Sequence, residues 1–202
     1  MKIICIGRNY TKHIEELANE KPENPVIFMK PDSAVLLKKN PFIIPPFSQD
    51  IHYEVEILVK INRLGKFIDE KFAHKYYEEI GLGIDFTARD VQSKMKEKGL
   101  PWEKAKAFDQ SAVVGEYVSA GDLDIENLDF ELHINGELAQ QGNTSQMIYS
   151  VADMIEHCSQ YFTLKIGELL FTGTPKGVGS VKPGDILEGY IAGQKVLKVK
   201  VK

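Results

Sequence analysis

The chain lacks most of the features that announce a function directly. Its 202 residues include two cysteines and one tryptophan. Cys5 and Cys158 are far apart and form no C-x-x-C pair, which argues against a cysteine zinc site or a disulfide framework and suits a reducing, cytoplasmic location. Positive charge is not in excess. The formal net charge is -4, so there is no basic field for nucleic acid and no polybasic patch for a membrane surface. No run reaches the ~20 apolar residues of a membrane span, and the apolar start of the chain is too short for the core of a secretion signal. Internal repeats, low-complexity stretches and linkers are missing as well.

What is present reads as an α+β chain forming one domain over residues 1–202. Hydrophobic content of 43% and charged content of 27% are ordinary for a globular protein, and the length allows one sizeable core. Apolar runs predict strands over 2–7, 26–31, 34–37, 51–61, 81–86, 111–118, 128–134, 137–141, 168–172, 186–191 and 195–201. Helical spacing predicts helices over 11–20, 69–80, 87–98 and 150–162. The last two open with reciprocal capping pairs, Thr87 with Asp90 and Ser150 with Asp153. Residues 99–108 read as an ordered loop, and Asn135-Gly136 as a hairpin turn. Strands outnumber helices and come in local hairpins, without the regular alternation of a doubly wound sheet.

The chemistry starts in the strand at 51–61. A period of two places Glu54 and Glu56 on one face, roughly 6.5–7 Å apart by the rise of a strand. Such a face is ordinarily a solvated one. If it is not, the like charges call for a cation between them. Asp85, at the end of the strand at 81–86, offers a third carboxylate. An all-oxygen set selects hard cations, Mg²⁺ first and then Mn²⁺ or Ca²⁺. Three acids on a divalent ion leave about one negative charge, which Lys106 is placed to offset. His13 and Glu16 are three apart on a helix, the spacing that orients an imidazole as a general base or forms a plain surface pair. Arg89 and Gln92 share a helical face that would suit a carboxylate ligand, or an ordinary salt bridge. The glycine-rich stretch at 172–179 lacks the Gly-Lys-Ser/Thr ending of a phosphate loop. It reads instead as a tight loop bringing Thr174 and backbone amides near a small anion.

Taken in order, several blocks resemble the fumarylacetoacetate hydrolase family, in its small acylpyruvase/oxaloacetate-decarboxylase branch. They are Gly7-Arg8-Asn9-Tyr10 with His13 and Glu16, Phe28-Met29-Lys30-Pro31, Tyr53-Glu54-Val55-Glu56, Asp85-Phe86-Thr87-Ala88-Arg89-Asp90-Val91-Gln92, Lys98-Gly99-Leu100-Pro101-Trp102 with Lys106, Asn135-Gly136-Glu137, and Leu170 through Gly179. The resemblance implies a β-roll-like fold of mixed sheets with peripheral helices, assembled as a homodimer. It implies Mg²⁺ or Mn²⁺ on Glu54, Glu56 and Asp85, an active-site lysine at Lys106, and substrate contacts from Arg89, Gln92 and Thr174. His13 and Glu16 match a water-activating pair on a segment that closes as a lid. The implied activity is hydrolysis or decarboxylation of small 2-oxo or 2,4-dioxo acids such as acylpyruvates and oxaloacetate, through an enolate. Isomerisation or tautomerisation of related keto-enol acids is the alternative. A metal- or anion-binding protein without catalysis is the reading from a different class.

Overall fold

The apolar runs of this chain find their partners far away in sequence. The structure, a computed structural model, describes residues 1–16 and 21–202. In chain order, β1 (Lys2–Gly7), α1 (Thr11–Glu16) and β2 (Val26–Pro31) precede β3 (Ile51–Tyr53), β4 (Val55–Ile61), β5 (Tyr77–Asp85) and β6 (Thr87–Ala88). Then come α2 (Arg89–Glu97), α3 (Glu103–Lys106), β7 (Ala112–Ser119), β8 (Asp129–Ile134) and β9 (Glu137–Asn143). The chain closes with α4 (Val151–Tyr161), β10 (Leu169–Phe171), β11 (Gly179–Ser180), β12 (Ile186–Ile191) and β13 (Gln194–Lys200). Among the described residues, the strands form a six-stranded sheet in the order β2-β1-β10-β4-β5-β7, a four-stranded sheet β13-β12-β8-β9 and a small sheet β11-β3-β6. The parallel pair is β1 with β10, and β10 is inserted between β1 and β4. This is the mixed-sheet α+β architecture expected from the sequence. No helix among the described residues is long and apolar enough to cross a membrane.

Strand β4 shows why the six-stranded sheet sits at the centre. Val55, Ile57, Val59 and Ile61 enter the main core, while Leu58, on the opposite face, packs in a second cluster with Ile3, Cys5, Leu169 and Phe171. Each fully buried aliphatic side chain of this kind contributes about 1.5–3 kcal/mol. Because both faces of the sheet are covered, the face carrying Glu56 is not solvated; Glu56 is 2% exposed and Glu54 5%.

Several expected elements differ. The strand at 51–61 is two strands, β3 and β4, in different sheets, with the break at Glu54. The helix at 69–80 is a 3₁₀ segment over Glu70–Tyr76, after which Tyr77 to Ile80 belong to β5. There Ile80 pairs with Val59 and Val118, and that tertiary pairing overrides the helical spacing of Phe72, Tyr76 and Ile80. Residues 34–37 contribute one bridge, Val35 with Ala112, beside a 3₁₀ turn over Asp32–Ala34, so they form no strand. Thr87 does not cap α2. It pairs with His52 in β6, and Asp90 instead accepts from Ser48 Oγ (2.6 Å) and Gln49 N (3.2 Å). The loop at 99–108 contains the short helix α3. Of the helix expected over 11–20, residues 11–16 are helical and 17–20 lie outside the described residues. The Ser150–Asp153 capping box is formed in both directions.

Candidate metal centre and pocket

Three elements bring the carboxylates together. Glu54 sits in the break between β3 and β4, Glu56 two residues on in β4, and Asp85 at the end of the antiparallel neighbour β5, where its amide donates to Glu54 O (2.8 Å). All three are buried, and one carboxylate oxygen from each lies within 4.8 Å of the others. The register does this. Glu56 pairs with Gly83, where a Cβ would meet Val113 O at 2.7 Å and Leu58 at 2.8 Å, so the backbone there needs glycine to pack.

Burying three like charges is costly unless they are paired. Lys106 Nζ, from α3, lies between them and donates to Glu54 Oε2 (2.8 Å), Asp85 Oδ2 (2.7 Å) and Thr87 Oγ1 (2.6 Å). Arg89 donates to Glu54 Oε1 and, at 2.6 Å, to Gln92 Oε1. A second lysine, Lys30 of β2, is 1% exposed, and its Nζ is 2.7 Å from Asp85 Oδ1. Its Nζ also donates to Ser111 Oγ (2.9 Å) and to the carbonyl of Lys106. Lys30, Lys106 and Arg89 thus face Glu54, Glu56 and Asp85, and the single balancing lysine expected from the sequence is one of three cations.

The field of these charges separates the two glutamates. Burial raises Glu54, but Lys106 and Arg89 outweigh it and hold the carboxyl far below the usual range. Glu56 has the reverse balance: burial, with Asp85 and Glu54 beside it, raises it well above that range. Burial pulls Lys106 down, yet Asp85 and Glu54 prevail and it ends raised. A hard cation fits this donor set. It would balance three buried carboxylates, of which Glu56 is raised because burial, Asp85 and Glu54 disfavour its charge.

A cavity of ≈ 40 Å³ opens beside the cluster, bordered by His13, Glu54, Glu56, Arg89, Gln92, Lys106 and Thr174. Every residue expected to act on substrate, except Glu16, therefore lines one space. Glu16 stands at the rim, with Oε2 3.2 Å from His13 Nδ1 and Oε1 accepting from Gly177 N at 3.0 Å. Burial pushes the His13 imidazole below its ordinary pKa despite the opposing pull of Glu54 and Glu16. Thr174 Oγ1 accepts from Gln140 Nε2 (3.0 Å), whose Oε1 also accepts from Val55 N (2.9 Å). Two sequence expectations change here. The Arg89 fork is engaged by Glu54 and Gln92, so no free fork awaits a ligand. The anions served by the glycine-rich loop are the protein's own: Gly173 N donates to Glu56 Oε2 (2.7 Å) and Gly177 N to Glu16. Gly173 has φ +96°, and a Cβ there would meet Asn9 at 2.8 Å.

Sequence reasoning passed over Arg8, Lys30, Lys96, Trp102 and Gln140. Lys30 left a signal, a single lysine ending an apolar strand directly before a proline. Arg8 and Trp102 left none beyond their place in the quoted blocks, and Lys96 and Gln140 stand outside those blocks.

Comparison with known proteins points one way. Residues 2–202 match the family model described as fumarylacetoacetate (FAA) hydrolase C-terminal. The chain is 42% identical to the oxaloacetate tautomerase of Escherichia coli K12 over 188 residues, 92% of this chain and 86% of that protein. It is 41% identical to the mitochondrial oxaloacetate decarboxylase of Dictyostelium discoideum over 194 residues, 95% of this chain and 89% of that protein. The crystal structure of fumarylpyruvate hydrolase from Pseudomonas aeruginosa, in complex with Mn²⁺ and pyruvate, superposes with a TM-score of 0.93 at 35% identity, covering 100% of this chain and 89% of that one.

Proposed function

The chain belongs to the fumarylacetoacetate hydrolase family, and on that premise we propose that it is a divalent-cation-dependent enzyme of small 2-oxo acids. Keto–enol exchange and decarboxylation of oxaloacetate stand first, since the relatives above 40% identity described here are named for oxaloacetate. Hydrolysis of acylpyruvates is the second reading, carried by the His13–Glu16 pair. The observation that supports the whole is the buried Glu54–Glu56–Asp85 cluster, whose glutamates line the same cavity as His13 and Lys106.

The three reactions share one demand. Removing a proton, CO₂ or an acyl group from C3 of a 2-oxo acid leaves an electron pair that delocalises onto the 2-oxo oxygen. A Mg²⁺ or Mn²⁺ ion on Glu54, Glu56 and Asp85 supplies Lewis acidity and a template for oxygen ligands when bound. Lys106 keeps its charge beside the same space and favours the negative charge as it develops. His13 is neutral at pH 7, because its lowered pKa favours the uncharged ring. With Nδ1 held by Glu16, Nε2 is left to take a proton from C3 or from a water. Gln92 and Thr174 provide the polar wall against which the carboxylate end is oriented. A homodimer, resting on the resemblance, and a cytoplasmic location, resting on the two unpaired cysteines, belong to the same proposal; light scattering reads the assembly.

The test is a Mg²⁺-supplemented panel of oxaloacetate, acetylpyruvate and fumarylpyruvate, with Glu56→Gln and Asp85→Asn beside the parent. Both variants should lose cation-dependent turnover. Full activity in excess EDTA, or parental rates in either variant, overturns the proposal.

A further inference from the structure

Arg8 has no part in the chemistry above, yet it occupies a costly conformation in the same pocket. Its backbone is left-handed, φ 59°, which residues with a Cβ rarely adopt. Asn9 holds it there. The Asn9 amide donates to Thr172 O (2.8 Å) and Tyr149 O (3.1 Å), and its Oδ1 accepts from Tyr149 N (2.8 Å). The turn delivers the Arg8 side chain to the pocket wall, beside Lys96 of α2 and Trp102. Arg8 Nε is buried without a hydrogen-bond partner, and among the described residues no carboxylate pairs with the guanidinium.

The contrast with the neighbouring cations is informative. Arg89 is matched by Glu54, Lys106 by Glu54 and Asp85, and Lys30 by Asp85. Arg8 carries a positive charge that the described protein does not answer. The Lys96 ammonium lies at the same wall, 5.6 Å from the Trp102 ring centroid. Burial first, and then Arg89, Arg8 and Lys106, lower Lys96 to about 8. A guanidinium whose Nε is buried without a partner is suited to a carboxylate.

We infer that Arg8 is the subsite for the second carboxylate of a dicarboxylic 2-oxo acid, the end remote from the 2-oxo group. The inference rests on the proposed function and narrows it: the site prefers four-carbon or longer dicarboxylates to monocarboxylic 2-oxo acids. One charged hydrogen-bond pair predicts a preference of about 10- to 100-fold.

The experiment compares pyruvate with 3,3-difluorooxaloacetate, which cannot enolise, by calorimetric titration of the Mg²⁺-loaded protein. Arg8→Asn removes the guanidinium and keeps a residue that tolerates the left-handed turn. The parent should bind the dicarboxylate at least about tenfold tighter, and Arg8→Asn should bring the two affinities together while leaving that for pyruvate unchanged. Arg8→Lys, which keeps the charge and loses the fork, should move the ratio the same way by less, and it carries the test if Arg8→Asn does not fold. A ratio unchanged by the substitution, or an equal loss for both ligands, overturns the subsite alone. A parent that binds neither ligand overturns the proposed function with it.

Discussion

Replacing Lys30 by methionine keeps the length of the side chain and deletes its charge at a position 1% exposed to solvent. Asp85 would keep Lys106 at 2.7 Å and lose the ammonium beside Oδ1. The hydrogen bonds to the carbonyl of Lys106 and to Ser111 Oγ would go too, although Ser111 Oγ still donates to that carbonyl at 2.9 Å. Removing one partner of a buried ion pair costs about 3–5 kcal/mol. With about 2–4 °C per kcal/mol for a chain of this size, Tm should fall by roughly 6–20 °C in the absence of metal. A cation on the three carboxylates would supply much of the missing charge, so the variant should gain more from Mg²⁺ than the parent does. For scale, a ligand at a hundred times its Kd contributes about 2.7 kcal/mol. Differential scanning calorimetry of both proteins, in EDTA and in saturating Mg²⁺, reads all four values. A metal-free loss below about 3 °C, or equal Mg²⁺ shifts in the two proteins, refutes the argument that Lys30 is the resident counter-charge of the cluster.

Two further outcomes follow from the pKa shifts. His13 is lowered from 6.5, so its basic form is present at neutral pH and is lost as pH falls through a midpoint below 6.5. The acid limb of kcat/KM should lie there, and His13→Ala should remove the limb and cost about 10²–10⁴ in rate; a limb that survives belongs to another group. Burial, with Asp85 and Glu54 beside it, raises Glu56 well above the carboxylate range. Coordination requires the carboxylate, so Mn²⁺ binding should release protons and tighten as pH rises. Calorimetry in buffers of different ionisation enthalpy measures this, and identical heats in every buffer would count against it.

The sequence made the donor atoms readable and left their surroundings hidden. Glu54 and Glu56 do converge, but Glu54 stands in the break between β3 and β4 rather than on one continuous strand face. That they are buried depends on β1 and β10, which lie far off in sequence. The spacing of His13 and Glu16 was equally legible because a helix is local. The helix expected at 69–80 failed for the opposite reason: its last residues are claimed by β4 and β7 on either side. Arg8 could not be recognised, since a left-handed turn without glycine leaves no local mark and here is imposed by Asn9. Lys30 reads as an ordinary charged strand end until Asp85 is placed beside it.

The insertion of β10 between β1 and β4 also bears on how the chain matures. Glu54, Glu56, Asp85 and Lys106 belong to a segment that can pair locally, through the β4–β5–β7 antiparallel run. Lys30 arrives on the β1–β2 hairpin, and that hairpin joins the rest of its sheet through Leu169–Phe171. Synthesis must therefore proceed past residue 171 before the two halves are bridged. Closing so long a loop is slow compared with forming the hairpins. Until then the acidic cluster lacks Lys30, one of the three cations that face it in the folded chain.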